Sequence, residues 1–381
     1  MGMQTIHQLV LSATMFTVLL TGGILSPRTA TAATYYVATN GTDANTGSQS
    51  QPFRTITKGL SRLSSGDTLY IRQGTYDEQI NPVTGAIPNG TSWATATTIV
   101  GYPGETVIFD RINMGDGGGF AWMIFTNLTV ASVYLGADTH HIRIDHCDIV
   151  NASRMAISGG GGFHEFTNNK IHGAYYYGTY WAGHDTIFDG NDFYDHGGFA
   201  IHIYNKDDTT VSNNIVRNNR IYNNGLIRQD ASSGGVILSH GSNNQAYNNL
   251  VYGNFAGFQI DYDCVGCQVY NNTIYGNTYH GVQVGRAVNT IVKNNIIYNN
   301  RSAITNLGDS GAVIDPNFTS DPQFENPSAG NFHLKSGSPA KTASDTGREV
   351  GAYANGGGPG SGEGSTIPAP RNLKVISVGS D

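Results

Sequence analysis

Arg217-Asn-Asn-Arg-Ile221, Tyr247-Asn-Asn-Leu-Val251, Tyr270-Asn-Asn-Thr-Ile274 and Lys293-Asn-Asn-Ile-Ile297 are copies of one short phrase. Looser copies precede them: Asp145-His-Cys-Asp-Ile149, Thr167-Asn-Asn-Lys-Ile171 and Asp189-Gly-Asn-Asp-Phe193. The third position is Cys147, Asn169, Asn191, Asn219, Asn249, Asn272 and Asn295, at spacings of 22, 22, 28, 30, 23 and 23 residues. A period of this size marks stacked repeats. Each repeat holds short β-branched runs broken by Asn and Gly, without helical periodicity, so the unit is a coil of strands.

Such a coil cannot bury its apolar face alone. Stacked at about 4.8 Å per rung, coils form parallel sheets around a continuous core. The recurrent Asn can take the left-handed conformation at a bend and bond its amide to the Asn of neighbouring rungs. A buried amide is tolerated only when paired, which predicts a ladder. The reading is an all-β, single-stranded right-handed parallel β-helix with three strands per coil and an Asn ladder.

Two residues after each ladder position, Ile149, Ile171, Phe193, Ile221, Val251, Ile274 and Ile297 face inward. A second run follows: Ala200-Ile-His-Ile-Tyr204, Gly235-Val-Ile-Leu-Ser239, Gly257-Phe-Gln-Ile-Asp261 and Gly281-Val-Gln-Val-Gly285. Period-two alternation puts Ile201/Ile203, Val236/Leu238, Phe258/Ile260 and Val282/Val284 in the core. It turns His202/Tyr204, Ile237/Ser239, Gln259/Asp261 and Gln283 outward. A third strand precedes the Asn. The insertion Gly225–Gly235 lengthens one turn, and insertions in a solenoid tend to build its binding face.

Around this body, residues 1–32 read as a signal peptide: an apolar run from Leu9 to Leu20, then Ala30-Thr-Ala32, although only His7 precedes the run. Residues 33–354 form the β-helix, with a short helix in Pro52–Leu63 capping its open end (Ile56, Leu60 and Leu63 at helical spacing). Residues 355–381 are a Gly/Ser/Pro-rich linker and an unpaired tail. The net charge is −7, and −8 without residues 1–32, which hold Arg28 and no acid. Nucleic acid is therefore not an expected partner, and an acidic polysaccharide would need local cations or a bound metal. A monomer outside the cell, or in the periplasm, with no membrane span after processing, is expected.

The stacked Asn coils, the opening Tyr35-Tyr-Val-Ala-Thr-Asn-Gly41, Gly66-Asp-Thr-Leu-Tyr-Ile71 with Gly74-Thr-Tyr76, and the closing Gly337-Ser-Pro-Ala340 resemble the secreted pectate-lyase-like β-helix superfamily. The resemblance covers roughly Thr34 to Tyr353. It implies polysaccharide lyase, glycoside hydrolase, uronate epimerase or purely binding function, without choosing among them. It also implies a groove along the outward face of the strand that carries His202, Asp261 and Gln283.

β-Elimination from a uronic acid polymer needs its carboxylate neutralised, a base, and help for the leaving oxygen. Calcium suits the first task, and Asp207, Asp208, Asp261 and Asp263 lie on turns beside this face. Lys206 is the most economical base, with His202 and Tyr204 as the rival base/acid pair; Arg228 and Arg286 add cations. Tyr180, His240, Gln259, His280 and Gln283 complete the candidate substrate-binding set. Hydrolysis would need two carboxyls about 5–9.5 Å apart, such as Asp207 or Asp208 with Asp261. A non-catalytic glycan binder would draw on the column His172, Tyr194, Tyr222, Tyr252, Tyr275 and Tyr298, whose rings can equally pack on one another. Cys147 is a buried thiol in the ladder, and Cys264 and Cys267 are free or joined.

Overall fold

A computed structural model describes residues 32–81, 87–115, 118–204, 211–225, 233–354 and 359. One coil shows the pattern: strands Ile187–Asp189, Asp192–Tyr194 and Phe199–Ile203 run through three successive faces. Each strand pairs in parallel with its counterparts one coil before and one coil after. Among the described residues the first face is an eleven-stranded sheet. The second and third are fused into one seventeen-stranded sheet, because Val107–Met114 and Thr129–Leu135 run unbroken through the bend. Parallel crossovers in one sheet are right-handed almost without exception, and this is a right-handed parallel β-helix.

The inward residues read from the repeat are buried: Ile149, Ile171, Phe193, Ile221, Val251, Ile274 and Ile297 on the second face, and the Ile201-to-Val284 set on the third. Rings fill the first: Phe166 and Phe188 stack at 5.0 Å. At the N-terminal end the helix Ile56–Leu60 buries Ile56 and Leu60. Its Gly59 lies so close that a Cβ there would meet Val37 and Leu69 at 2.7–2.9 Å. Thr55 caps the helix by accepting from the Lys58 N–H, and the Glu78 carboxylate takes the N–H groups of Ile56 and Thr57. No helix among the described residues is long and apolar enough to cross a membrane.

The Asn ladder is present, with one correction. The left-handed conformation belongs to the residue before each ladder Asn: Asn168, Gly190, Asn218, Asn248, Asn271 and Asn294. This frees the next Asn to turn inward. Asn219 shows the bonding: its N–H and its Nδ2 both donate to Asn249 Oδ1 at 3.0 Å, and Nδ2 also donates to Phe188 O at 2.9 Å. The other two corners carry ladders as well. At the second, Asn224 donates to Asn254, Asn254 to Asn277 and Asn277 to Asn300; at the third, Asn214 donates to Asn244. Each of these is likewise preceded by a left-handed residue, such as Asn223, Gly253 or Asn213.

Histidine ends two of the ladders by imitating the amide. His196 Nδ1 accepts from the Ala174 N–H (3.2 Å) and its Nε2–H therefore donates to Ile171 O (3.0 Å). His164 Nδ1 accepts from the Ile142 N–H in the same manner. Burial pushes both imidazoles down to about 3, so both are neutral struts. Cys147 ends the first ladder; burial pushes its thiol up to about 12. Cys264 and Cys267 form a disulfide, the joined alternative, in the turn whose Cys264–Val265 strand pairs with Ala287–Val288.

The tyrosine column serves packing. His172, Tyr194, Tyr222 and Tyr252 stack at 4.6, 5.1 and 5.3 Å. The antiparallel hairpin Phe324–Asn326 and Asn331–Leu334 then covers it, with Phe332 5.1 Å from Tyr252 and 5.2 Å from Tyr275. Tyr252 is left fully buried, beside the part-buried Asp192–Arg220 ion pair.

Asn249→Leu would strand the Asn219 N–H and Val216 O, both of which now bond to the Asn249 amide. It should cost at least about 1–3 kcal/mol, read as a lower chemical-denaturation midpoint; an unchanged midpoint would contradict a buried ladder.

Candidate functional site

The parallel register aligns outward side chains of the third face into columns. One reads Tyr180, His202, Ile237, Gln259 and Gln283. The next pairs Ser239 with Asp261. The alternation was legible in the chain, but the expected exposure was not: His202, Ile237, Ser239 and Gln259 point outward and are nevertheless buried. Of the candidate site residues, His202 and Gln259 thus sit in a recessed row, while Asp263 and Arg286 are exposed.

Aromatic rings make that row continuous. Tyr180 lies 5.0 Å from His202, His202 5.1 Å from Tyr204, Tyr204 5.0 Å from His240, and His240 stacks on Tyr262 at 5.8 Å. The Arg286 guanidinium closes it, 5.1 Å above the Tyr262 ring. Tyr177 and Phe199 also flank His202, at 5.1 and 5.5 Å. The structure therefore joins Tyr180, His202, Tyr204, His240, Asp261 and Arg286, with Gln259 and Gln283 beside them. Tyr177, Phe199 and Tyr262 were missed. The tyrosines adjoin Tyr180 and Asp261 in the chain, but nothing in the repeat announces the left-handed backbone at Tyr262 that aims its ring.

His280 lies elsewhere. It shares the inward parity of Val282 and Val284, is buried against Tyr279 at the edge of the strand, and burial lowers it to about 4. Lys206, Asp207, Asp208 and Arg228 fall outside the described residues.

Burial in its cage of rings, and secondarily the electrostatic effect of neighbouring His240, pushes His202 down to about 3. Among the described residues its buried Nδ1 has no hydrogen-bond partner. Such an imidazole is neutral at working pH: it cannot donate as an acid and is a feeble base. Burial raises Tyr180 to about 12, so it remains a hydroxyl.

Asp261 was read as a calcium ligand, with Asp263, Asp207 and Asp208. Its oxygens are already engaged by donors: Oδ1 accepts from the N–H groups of Tyr262 (2.7 Å) and Arg286 (2.9 Å), and Oδ2 from Gln259 Nε2 (3.3 Å). Arg286 Nε stands 3.8 Å from the same carboxylate. Calcium takes about six to eight oxygen ligands, and among the described residues no three acid, His or Cys groups converge to hold a metal. The described part of the set does not fit the ion.

Residues 35–235 match the family described as Pel9A-like, right handed beta helix region, and residues 155–319 match the one described as Right handed beta helix region. The chain belongs to the Pel9A-like β-helix family. Among solved structures this Pel9A-like chain is similar to pectate lyase Pel9A, at 15% identity and a TM-score of 0.64 over 85% of this chain and 96% of that one. It is also similar to the GH136 lacto-N-biosidase from Eubacterium ramulus, at 12% identity and a TM-score of 0.53 over 75% and 68%. Both likenesses are of fold. A 46-residue stretch, 12% of this chain and 10% of the other, is 41% identical to the uncharacterized protein YwoF of Bacillus subtilis (strain 168).

His202 provides a direct check on the electrostatics of the row. Its folded value lies below the roughly 6.5 of an unfolded histidine, so protonation favours the unfolded chain. The stability it contributes is present near neutrality and is lost as pH falls from about 6.5 toward about 3. By NMR the His202 ring should show no titration between pH 8 and about 5; a midpoint above 6 would contradict the cage.

Proposed function

We propose that this protein is a secreted polysaccharide lyase acting on a uronic-acid-containing glycan at the outer third face. The observation that carries the reading is Arg286: its side chain is 69% exposed at the end of an aromatic row, offering a guanidinium where a glycan lying along the solenoid would pass. The fold likeness to pectate lyase Pel9A is consistent with it. Rings suit the apolar faces of sugars, and Gln283 offers its amide to hydroxyls, beside Gln259 in the same column.

In the reaction proposed, a base removes the proton from the carbon bearing the carboxylate. The electron pair forms the ring double bond, the bond to the adjacent glycosidic oxygen breaks, and that oxygen takes up a proton. Arg286, aided by Arg228, neutralises the carboxylate and so makes the carbon acid removable. With His202 held neutral and encased, the base role falls to Lys206, which follows Tyr204 by two positions. Tyr180, a hydroxyl at any working pH, is the donor toward substrate or leaving oxygen.

Purified protein should be screened against pectate, alginate and glycosaminoglycans, with and without calcium. New ultraviolet absorbance from an unsaturated uronate is the expected result. New reducing ends without absorbance would replace it with hydrolysis, for which Asp261 would need Asp207 or Asp208 as partner; binding alone would leave a glycan-binding module. On a confirmed substrate, Lys206→Ala should lower turnover at least roughly 100-fold with stability unchanged. Near-normal turnover in Lys206→Ala, with loss in His202→Ala, would move the proton to the histidine.

A further inference from the structure

We infer that Arg286 stands where a bound cation would otherwise hold the substrate carboxylate, and that Asp261, Tyr262 and Gly285 are positioning residues that fix the arginine there. The inference rests on the reading of this face as an acidic-glycan site and adds how the acid is recognised: by a guanidinium, without a divalent metal at Asp261.

Three contacts build the mount. The Arg286 N–H donates to Asp261 Oδ1 at 2.9 Å, while the Asp263 N–H donates back to Arg286 O at 2.6 Å. The turn after one strand is thereby fastened to the turn after the next. The guanidinium extends over the Tyr262 ring, with Nε the nitrogen nearest Asp261 at 3.8 Å. Gly285 makes room for this: a Cβ there would stand 2.5–2.6 Å from the Asp261 carboxyl group. No side chain could lie between the carboxylate and the strand.

What the mount leaves open matters most. The Asp261 side chain is 15% exposed and that of Arg286 is 69% exposed. At 3.8 Å the ion pair orients the guanidinium without consuming an N–H in a hydrogen bond. Among the described residues its planar fork therefore remains free to take a carboxylate through two parallel bonds, which a lysine at the same place could not reproduce. Asp261, engaged by the N–H groups of Tyr262 and Arg286 and by Gln259, has its lone pairs turned toward donors, the opposite of what a divalent ion requires.

The test is calorimetry with the full chain in EDTA, using oligogalacturonate, oligomannuronate and a neutral oligosaccharide of equal length. An acidic oligosaccharide should bind wild type without metal. Arg286→Ala should weaken it about 10- to 100-fold, with Arg286→Lys intermediate and neutral-sugar affinity unchanged. Asp261→Asn and Tyr262→Ala should each weaken acid binding less than Arg286→Ala, at unaltered denaturation midpoints. Since Arg286 is exposed, its variants keep the test open should an Asp261 variant fail to fold. No acid binding in EDTA, recovery only on adding calcium, or Arg286→Ala binding like wild type would overturn the inference. Arg286-dependent binding with no new ultraviolet absorbance would sink only the lyase reading. Undiminished absorbance in Arg286→Ala would overturn this inference and the carboxylate-neutralising role given to Arg286, while leaving lyase activity itself standing.

Discussion

A buried side-chain amide that bonds to the same amide one coil away is the constraint on which this molecule rests. In mid-ladder, Asn249 accepts two donors from the preceding coil and gives its own to the backbone and to the next amide. A one-residue slip would leave all of these unpaired in a dry interior, at a cost that grows with every rung. Because ladders stand at all three corners, each strand of a coil begins at a set place. That is why Tyr180, His202, Gln259 and Gln283 align although turns of different length separate them.

The first ladder was legible because it recurs as Asn-Asn before a β-branched run. The others were harder to see. At the second corner the phrase is Tyr222-Asn-Asn224, Tyr252-Gly-Asn254, Tyr275-Gly-Asn277 and Tyr298-Asn-Asn300, where the tyrosines draw attention away from the asparagine two residues on. The third corner mixes Thr186, Asn214, Asn244 and Cys267, so composition hides a geometry that persists. Left-handed backbone is also carried by Trp122, His141 and Phe163, residues that adopt it at a cost of about 1–2 kcal/mol each. Their stacking, at 3.8 and 5.1 Å, offsets part of that cost and is invisible to any local rule.

The candidate site divides along the same line. Alternation identified which side chains of the third face point outward, since that depends only on parity. It could not reveal that His202 is caged, because Tyr177 and Tyr180 reach it from the preceding coil and Phe199 stands on the opposite parity of its own strand, with Tyr204 just beyond that strand. Nor could it distinguish an aspartate that waits for a metal from one that braces an arginine. That distinction lies in the 2.9 Å bond from the Arg286 backbone and in the missing Cβ of Gly285.

Native-state hydrogen exchange tests the ladder constraint most directly. The backbone N–H groups of Asn214, Asn219 and Asn224 each donate to a side-chain amide of the next coil, at three different corners. If the ladders hold the coils in register, all three should exchange only through global unfolding, with protection equal to that of core strand amides. Exchange at any of these corners as fast as in exposed turns would contradict the account, and with it the alignment of the row that the site depends on.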